Sequence, residues 1–199
     1  MPDPQTISSQ TISIDAMGGD FCPPVVAPAL ARAVKAGLDA RFLLHGDEAL
    51  LKAAVAKLPL LEGRYEIRHA DRVIGADEKP AQAMRRGKGT SMWNAIESVK
   101  AGEACAAVSA GNTGALMAIA KLQLRMTAGM ERPALIAWPW PTMRGHTAVL
   151  DVGANIQCDA ARLVEFAIMG AAFHHAVHRS ARPTVGLLNV GSEDEKGHD

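Results

Sequence analysis

One segment, Val108-Ser109-Ala110-Gly111-Asn112-Thr113-Gly114-Ala115-Leu116-Met117, carries most of the information about the architecture of this chain. It ends an apolar run rich in small residues, 104–110, which predicts a buried strand, and it continues as a helix-forming run through residue 124. The two glycines of the intervening turn let the backbone approach a ligand closely. Because the free N–H groups and the positive dipole end of the helix point at the same turn, the segment predicts an anion-binding loop.

Short apolar runs alternate with amphipathic helical runs along the rest of the chain. Strands are predicted at 11–15, 41–45, 65–69, 104–109, 134–138, 147–151 and 184–190, and helices at 24–36, 47–58, 80–86, 91–100, 113–126 and 160–178. A proline-rich link is expected at 139–141. This order predicts an α/β fold with a mostly parallel sheet and helices on both faces.

The two ends of the chain give further expectations about its organisation. Residues 1–10 are polar and are expected to form a disordered tail, whereas residues 11–199 are expected to form one α/β domain. A polar loop directly after a buried strand normally leads into another helix. The domain is therefore expected to be shortened at its C-terminus.

Composition and charge disfavour several classes of function. The chain has 21 basic and 21 acidic residues among its 199, so its overall charge does not attract nucleic acid or an acidic membrane. Three cysteines, Cys22, Cys105 and Cys158, share no metal-ligand spacing and predict free thiols in a reducing compartment. The first ten residues lack the apolar core of a signal peptide. These features predict a cytoplasmic protein that binds no nucleic acid.

Four loops pair glycine with Asp or Asn directly after a predicted strand, namely 15–20, 109–114, 151–155 and 189–199. In open α/β sheets, ligands bind beyond the carboxyl ends of the strands, so we expect these loops to converge on one site. For any single loop, a tight turn with a helix N-cap is the alternative explanation.

Standard nucleotide, hydrolase and metal motifs are missing. Met17-Gly18-Gly19-Asp20 stands where a dinucleotide fingerprint would lie, residues 86–91 are only superficially similar to a P-loop, and no G-x-S-x-G elbow is present. His174 and His178 lie four residues apart on a predicted helix, but no H-E-x-x-H motif accompanies them. The acidic run 193–195 is typical of a solvated loop. Neither a metal nor a cofactor is therefore expected.

Taken together, the motifs resemble the phosphate acyltransferase family called PlsX. The matching segments follow the family's order: Ile14-Asp15-Ala16-Met17-Gly18-Gly19-Asp20, Pro80-Ala81 with Arg85-Arg86, 108–117, Glu131-Arg132-Pro133-Ala134-Leu135, Leu150-Asp151-Val152-Gly153-Ala154-Asn155 and Gly186-Leu187-Leu188-Asn189-Val190-Gly191. The resemblance runs from about residue 11 to the last residue and covers the N-terminal part of the family's length. It implies a fold similar to phosphotransacetylase and isocitrate dehydrogenase.

The resemblance also implies a reaction and a cellular setting. Family members transfer a fatty acyl group from acyl carrier protein to inorganic phosphate and form acyl phosphate for phospholipid synthesis. The implied protein is a cytoplasmic homodimer with peripheral membrane association and a PlsY-type glycerol-phosphate acyltransferase as partner. Two alternatives remain: phosphotransacetylase-like transfer with coenzyme A, and a non-catalytic scaffold of lipid synthesis. Where the family usually reads Lys-Gly-Asn, this chain has Lys196-Gly197-His198, so the role of that Asn does not carry over to His198.

The loops and the resemblance together define a candidate phosphate site. The backbone amides expected to hold phosphate are those of Gly111, Thr113, Gly114, Gly153 and Ala154. The residues expected to act on the reacting groups are Asn112 and Asn155, which would orient the phosphate oxygens, and Lys196, which would offset negative charge.

Two further groups of residues complete the prediction. The residues expected to organise the first loop are Asp15, Gly18, Gly19 and Asp20. Arg85, Arg86 and Lys88 form the densest basic cluster of the chain. Since acyl carrier protein is acidic, we expect this cluster to help dock it, with salt weakening the attraction.

Overall fold

The computed structural model describes residues 10–143, 145–179, 182–189 and 191. The chain divides into two compact units, Met1–Thr127 (unit 1) and Ala128–Asp199 (unit 2). Residues 1–9 of the expected disordered tail lie outside the described residues. The single domain expected over 11–199 stays a prediction.

Unit 1 is built around a four-stranded parallel sheet in the order β3-β2-β1-β4. Its strands are β1 (Gln10–Asp15), β2 (Ala40–Gly46), β3 (Tyr65–His69) and β4 (Ala106–Ser109). Its helices are α1 (Val26–Lys35), α2 (Glu48–Val55), α3 (Pro80–Arg86), α4 (Ser91–Lys100) and α5 (Thr113–Leu124), with a 3₁₀ turn at Pro59–Leu61. The predicted α/β fold class is confirmed.

Helices cover both faces of this sheet because side chains alternate along each strand. Phe42 and Leu44 of β2 belong to a buried apolar cluster with residues of α1 and α2. His45, the next residue of β2, lies on the opposite face, where its Nε2 is 3.3 Å from the hydroxyl of Ser98 on α4. A second buried cluster joins α3, α4 and α5 and includes Ile119.

Side-chain caps set the starts of several helices. The carboxylate of Asp47 accepts a hydrogen bond from the N–H of Leu50 at the start of α2, over 2.9 Å. The amide oxygen of Asn112 accepts from the N–H of Ala115 at the start of α5, also over 2.9 Å. Such caps satisfy N–H groups that have no partner inside the helix, so these starts could be predicted from local sequence.

Unit 2 contains an antiparallel pair of strands and the long helix α6. The strands are β5 (Ile136–Thr142) and β6 (Gly145–Leu150), and α6 spans Ala160–His178, as predicted. The ring centroid of Trp138 on β5 lies 5.6 Å from that of Phe173 and 4.9 Å from that of His178. His174 and His178 of α6 therefore take part in aromatic packing on the strand pair. Among the helices of the described residues, none has both the length and the apolar character needed to cross a bilayer.

The prediction of a proline-rich link at 139–141 is wrong, because β5 continues through these residues. β5 pairs with β6, and the register shifts between Ala137 and Trp140, where Pro139 lies. A proline lacks the N–H that a ladder needs, and it is tolerated on an edge strand or at a bulge. The shift therefore explains how the strand accommodates Pro139.

The strand predicted at 184–190 is also wrong over residues 184–189, which are irregular, while Val190 lies outside the described residues. Leu187 and Leu188 are 75% and 88% exposed. An apolar run forms a strand only when a neighbour pairs its backbone, and the described residues supply no such neighbour here.

Candidate functional site

The glycine loops after β1 and β4 meet at the carboxyl edge of the parallel sheet. Asp15 and Ser109 are paired in register on the neighbouring strands β1 and β4. The hydroxyl of Ser109 donates a hydrogen bond of 2.7 Å to Oδ2 of Asp15. Oδ1 of the same carboxylate accepts from the N–H of Gly18 over 3.1 Å. Two of the four predicted loops are thus joined through one buried carboxylate.

The close approach of the two loops requires glycine at their contact. A Cβ atom on Gly18 would lie 2.3 Å from Oδ2 of Asp15, and one on Gly111 would lie 3.2 Å from the Cα of Gly18. Gly19 has a φ of +114°, in the region that favours glycine. Asp15 and Gly18 thus contact each other within the loop after β1, in which Gly19 also lies, whereas Asp20 is exposed.

Asn112 fixes the start of α5 through all of its amide atoms. Besides the cap to Ala115, its Nδ2 donates to the carbonyl oxygens of Ala76 and Glu78 over 2.8 and 2.9 Å. A third carbonyl, of Gly75, lies 3.3 Å away. These contacts give Asn112 the role of tying the loop before α3 to the turn before α5.

The N–H groups at the start of α5 differ in what they contact. The N–H of Gly111 donates to Oγ of Ser109 over 3.1 Å and is therefore engaged inside the loop. The N–H groups of Thr113 and Gly114 donate no hydrogen bond to any of the described residues. These two N–H groups, at the positive end of the helix dipole, form the part of the loop that can receive an anion.

The loop after β6 in unit 2 is organised by its own aspartate. The carboxylate of Asp151 accepts from the N–H groups of Leu135, Ala154 and Asn155 over 2.7, 3.1 and 2.6 Å. The side-chain Nδ2 of Asn155 donates to the same carboxylate and to the carbonyl of Pro133, each over 3.0 Å. The predicted residues Ala154 and Asn155 thus bond within their own loop.

These contacts also set the ionisation of Asp151. Burial raises the pKa of this carboxyl, but the hydrogen bonds from the Asn155 side chain and from the three backbone N–H groups outweigh burial and hold the pKa below its usual value. The loop is therefore built around a carboxylate that stays charged. Gly153 has a φ of +109°, and a Cβ atom there would meet no described atom within 4 Å, so the backbone conformation favours glycine at this position.

Of the remaining predicted residues, some lie outside the described residues and others are exposed on the surface of unit 1. Lys196 and His198 lie outside the described residues, and the convergence of all four loops on one pocket stays a prediction. Arg85, Arg86 and Lys88 are exposed at and beyond the end of α3. Within the described residues, none of these three side chains has a carboxylate partner within 4.0 Å. They therefore form an exposed basic patch.

Sequence reasoning missed Ser109 as an individual residue of the site. Its hydroxyl both donates to Asp15 and accepts from Gly111. The only available signal was its position as the last residue of a predicted strand. That position points to Asp15 only once β4 is known to be the neighbour of β1.

The fold is that of an α/β protein in which two glycine loops are joined at the carboxyl edge of a parallel sheet. The chain belongs to the fatty acid synthesis protein family, whose model matches residues 10–199. The resemblance inferred from the motifs is thereby confirmed.

Relatives named phosphate acyltransferase support the same placement. The relative from Caulobacter vibrioides is 66% identical over 191 residues, which is 96% of this chain and 53% of the relative. The relative from Maricaulis maris is 56% identical over 191 residues, covering 95% and 54%. The one from Brucella ovis is 53% identical over 189 residues, covering 94% and 54%. The chain spans about half the length of these curated relatives.

Proposed function

We propose that this chain transfers a fatty acyl group from acyl carrier protein to inorganic phosphate and so forms acyl phosphate for phospholipid synthesis. The observation that carries the proposal is the meeting of two glycine loops beside the N-terminus of α5. Its support from outside the structure is membership of a family whose relatives are named phosphate acyltransferase. The homodimer, the cytoplasmic location with peripheral membrane association and the PlsY-type partner belong to the same proposal.

In the proposed reaction the protein positions phosphate and stabilises charge. The N–H groups of Thr113 and Gly114 hold the phosphate, while Asn112 and Gly111 keep the turn in shape. A phosphate oxygen bonds to the thioester carbonyl carbon, the carbon–sulfur bond breaks, and the proton of the phosphate passes to the leaving sulfur. The ammonium of Lys196 offsets the charge on the carbonyl oxygen or the phosphate.

The role of the second loop follows from its contacts. Gly153, Ala154 and Asn155 form a rigid turn around the Asp151 carboxylate. We assign Asn155 an indirect role in orienting phosphate. Both hydrogen bonds of its Nδ2 lie within the loop, so its side chain keeps the turn in shape.

A proline substitution tests the phosphate contact directly. Thr113 is the first residue of α5, where proline is favoured in helices, so Thr113→Pro removes one N–H and keeps the helix. We expect turnover to fall by about a hundredfold, as for removal of one preorganised donor. Acyl phosphate is measured by trapping with hydroxylamine. Ala160→Pro, at the first position of α6, is the matched control and should keep full turnover.

The choice of acyl donor separates the proposal from its alternatives. The chain is assayed with the acyl thioester of acyl carrier protein and with that of coenzyme A, each with inorganic phosphate. Preference for coenzyme A would favour the phosphotransacetylase-like reaction. Phosphate binding without product from either donor would favour the non-catalytic scaffold.

Charge reversal tests the basic patch as the docking site of acyl carrier protein. Changing Arg85, Arg86 and Lys88 to Glu should raise the KM for the carrier thioester by about tenfold or more at low salt. The KM for the coenzyme A thioester should stay unchanged. The matched control reverses three exposed lysines elsewhere in unit 1, namely Lys35, Lys57 and Lys100. An equal effect of both triple variants would refute specific docking.

A further inference from the structure

We propose that Ser109 is the positioning residue that locks the phosphate loop in place, an inference that rests on the proposed function. Ser109 ends β4 beside Asp15, which ends β1, and the two residues are paired in the sheet. Its side chain lies where the loops after these two strands touch. It is therefore placed to transmit the geometry of the sheet to the turn before α5.

One hydroxyl links the two loops by donating and accepting. The O–H of Ser109 donates to Oδ2 of Asp15 over 2.7 Å, and its oxygen accepts from the N–H of Gly111 over 3.1 Å. The other carboxylate oxygen accepts from the N–H groups of Gly18 and Met17 over 3.1 and 3.4 Å. A continuous chain of hydrogen bonds thus runs from the first loop through Asp15 and Ser109 to the second.

The hydroxyl also prepares the loop for an anion. Asp15 is 3% exposed, and without the donor from Ser109 one of its carboxylate oxygens would lose a charge-assisted hydrogen bond. The N–H of Gly111 would lose its acceptor at the same time, so the turn would no longer be held. Phosphate would then bind a less ordered loop beside a poorly compensated carboxylate, which repels it.

Space at this contact restricts what can replace serine. A Cβ atom on Gly18 would be 3.1 Å from Oγ of Ser109, and one on Gly111 would be 3.3 Å from it. Ser109→Ala removes the hydroxyl and adds no atom. Ser109→Cys keeps a side chain of similar length, but its thiol is only a weak hydrogen-bond donor. Ser109→Ala therefore tests hydrogen bonding without forcing the loops apart, whereas Ser109→Cys also places a larger atom at the loop contact.

The kinetic test compares the two substrates. For Ser109→Ala and Ser109→Cys we expect the KM for inorganic phosphate to rise about tenfold, because the hydrogen bonds to Asp15 and Gly111 that hold the turn are lost or weakened, with the KM for the acyl thioester unchanged. Ser13 supplies the matched control, because its hydroxyl is buried on β1 and has no hydrogen-bond partner among the described residues. Ser13→Ala should leave both KM values unchanged.

A structural measurement complements the kinetics. Amide hydrogen exchange at Gly111 should be at least about tenfold faster in Ser109→Ala, while exchange in the middle of β1 and β2 stays unchanged. This reports the loop itself and requires no turnover.

The outcomes separate the inference from the function on which it rests. If the unaltered chain forms acyl phosphate but Ser109→Ala changes neither the phosphate KM nor exchange at Gly111, the positioning role is overturned and the function stands. If both substrate KM values rise together, Ser109 supports the fold in general, and the inference again fails. If the unaltered chain forms no acyl phosphate and binds no inorganic phosphate, both proposals fall.

Discussion

Replacing His45 with Gln removes a buried group that can take up a proton. The surroundings of His45 predict how this substitution changes the pH dependence of the free energy of unfolding. His45 is 2% exposed, and its Nε2 lies 3.3 Å from the hydroxyl of Ser98. Its Nδ1 has no hydrogen-bond partner among the described residues. Burial and then the positive charge of Arg68 lower the pKa of His45 to about 4. The charges of Asp15, Glu103 and Glu66 oppose this shift.

The magnitude follows from the difference between the folded and unfolded pKa values. The unfolded chain binds a proton at His45 below a pKa of 6.5, whereas the folded chain does so only below about 4. Between these values the unfolded state holds more protons, so the free energy of unfolding falls as the pH is lowered. The loss is about 2 kcal/mol at pH 5 and about 3 kcal/mol at pH 4, and it changes little below that.

The assay compares the unaltered chain with His45→Gln from pH 4 to pH 7. Urea unfolding is monitored through amide resonances of β1 and β2, so that only unit 1 is observed. The free energy of the unaltered chain minus that of the variant should rise by about 3 kcal/mol across this range, because Gln has no proton to exchange. The Cε1–H resonance of His45 should titrate near pH 4.

Two results would refute this reasoning. If the difference in the free energy of unfolding between the two chains is constant from pH 4 to pH 7, the pKa of His45 does not change on folding. Titration of the His45 ring near pH 6.5 in the folded chain would contradict its burial beside Arg68.

Three further substitutions test the loops. Gly18→Ala should lower the free energy of unfolding by about 1–3 kcal/mol because the new methyl would lie 2.3 Å from the Asp15 carboxylate, whereas Gly75→Ala, with open space, should change it by less than about 0.5 kcal/mol in urea titrations. Equal stability of these two variants would contradict the close loop contact. Asn112→Ala should cost about 1–2 kcal/mol through loss of the cap, seen as faster amide exchange in the first turn of α5; unchanged exchange would argue against the cap. Because the Asp151 pKa is lowered despite burial, the stability that its carboxylate gives is present above the usual pKa and is lost as the pH falls through the folded pKa. Urea unfolding followed through amide resonances of β6 measures the free energy of unfolding of the unaltered chain and of Asp151→Asn. The unaltered chain should exceed the variant by less in acid than at neutral pH, and a difference that does not change with pH would contradict this.

Local chemistry made most of the secondary structure predictable. The helices that begin at Pro80, Ser91 and Ala160 start where a proline or a side-chain cap stands, and their bounds agree with those predicted from sequence. The failures concern pairing between distant segments. The prolines of β5 suggested a break, and the apolar run after residue 184 suggested a strand. Both outcomes depend on which backbone lies alongside, and a single sequence does not contain that information.

The candidate site was predictable to the same degree. The glycine turns after strands could be located from the sequence. The contact between the loops at Asp15 and Ser109 could not, because it depends on the pairing of β1 with β4, which 90 residues separate. The side chain of Asn112 was expected to face phosphate because it lies between two glycines. Its amide instead reaches carbonyls of the 75–78 segment, more than 30 residues earlier in the chain. Side-chain hydrogen bonds of this range follow from tertiary packing.

The two aspartates explain how loops rich in N–H groups hold their own shape. Asp15 takes up the N–H groups of its own loop and the hydroxyl of Ser109, and Asp151 takes up the N–H groups around Asn155. Each carboxylate thus acts as an internal anion, around which the glycine turn closes. An external phosphate must then use N–H groups that the internal carboxylates leave free. In the described part of unit 1 these include the N–H groups of Thr113 and Gly114, because a helix cannot bond its own first turn. An aspartate before a glycine turn therefore indicates a preformed loop, and for the loop after β4 the proposed phosphate contacts lie at the start of α5.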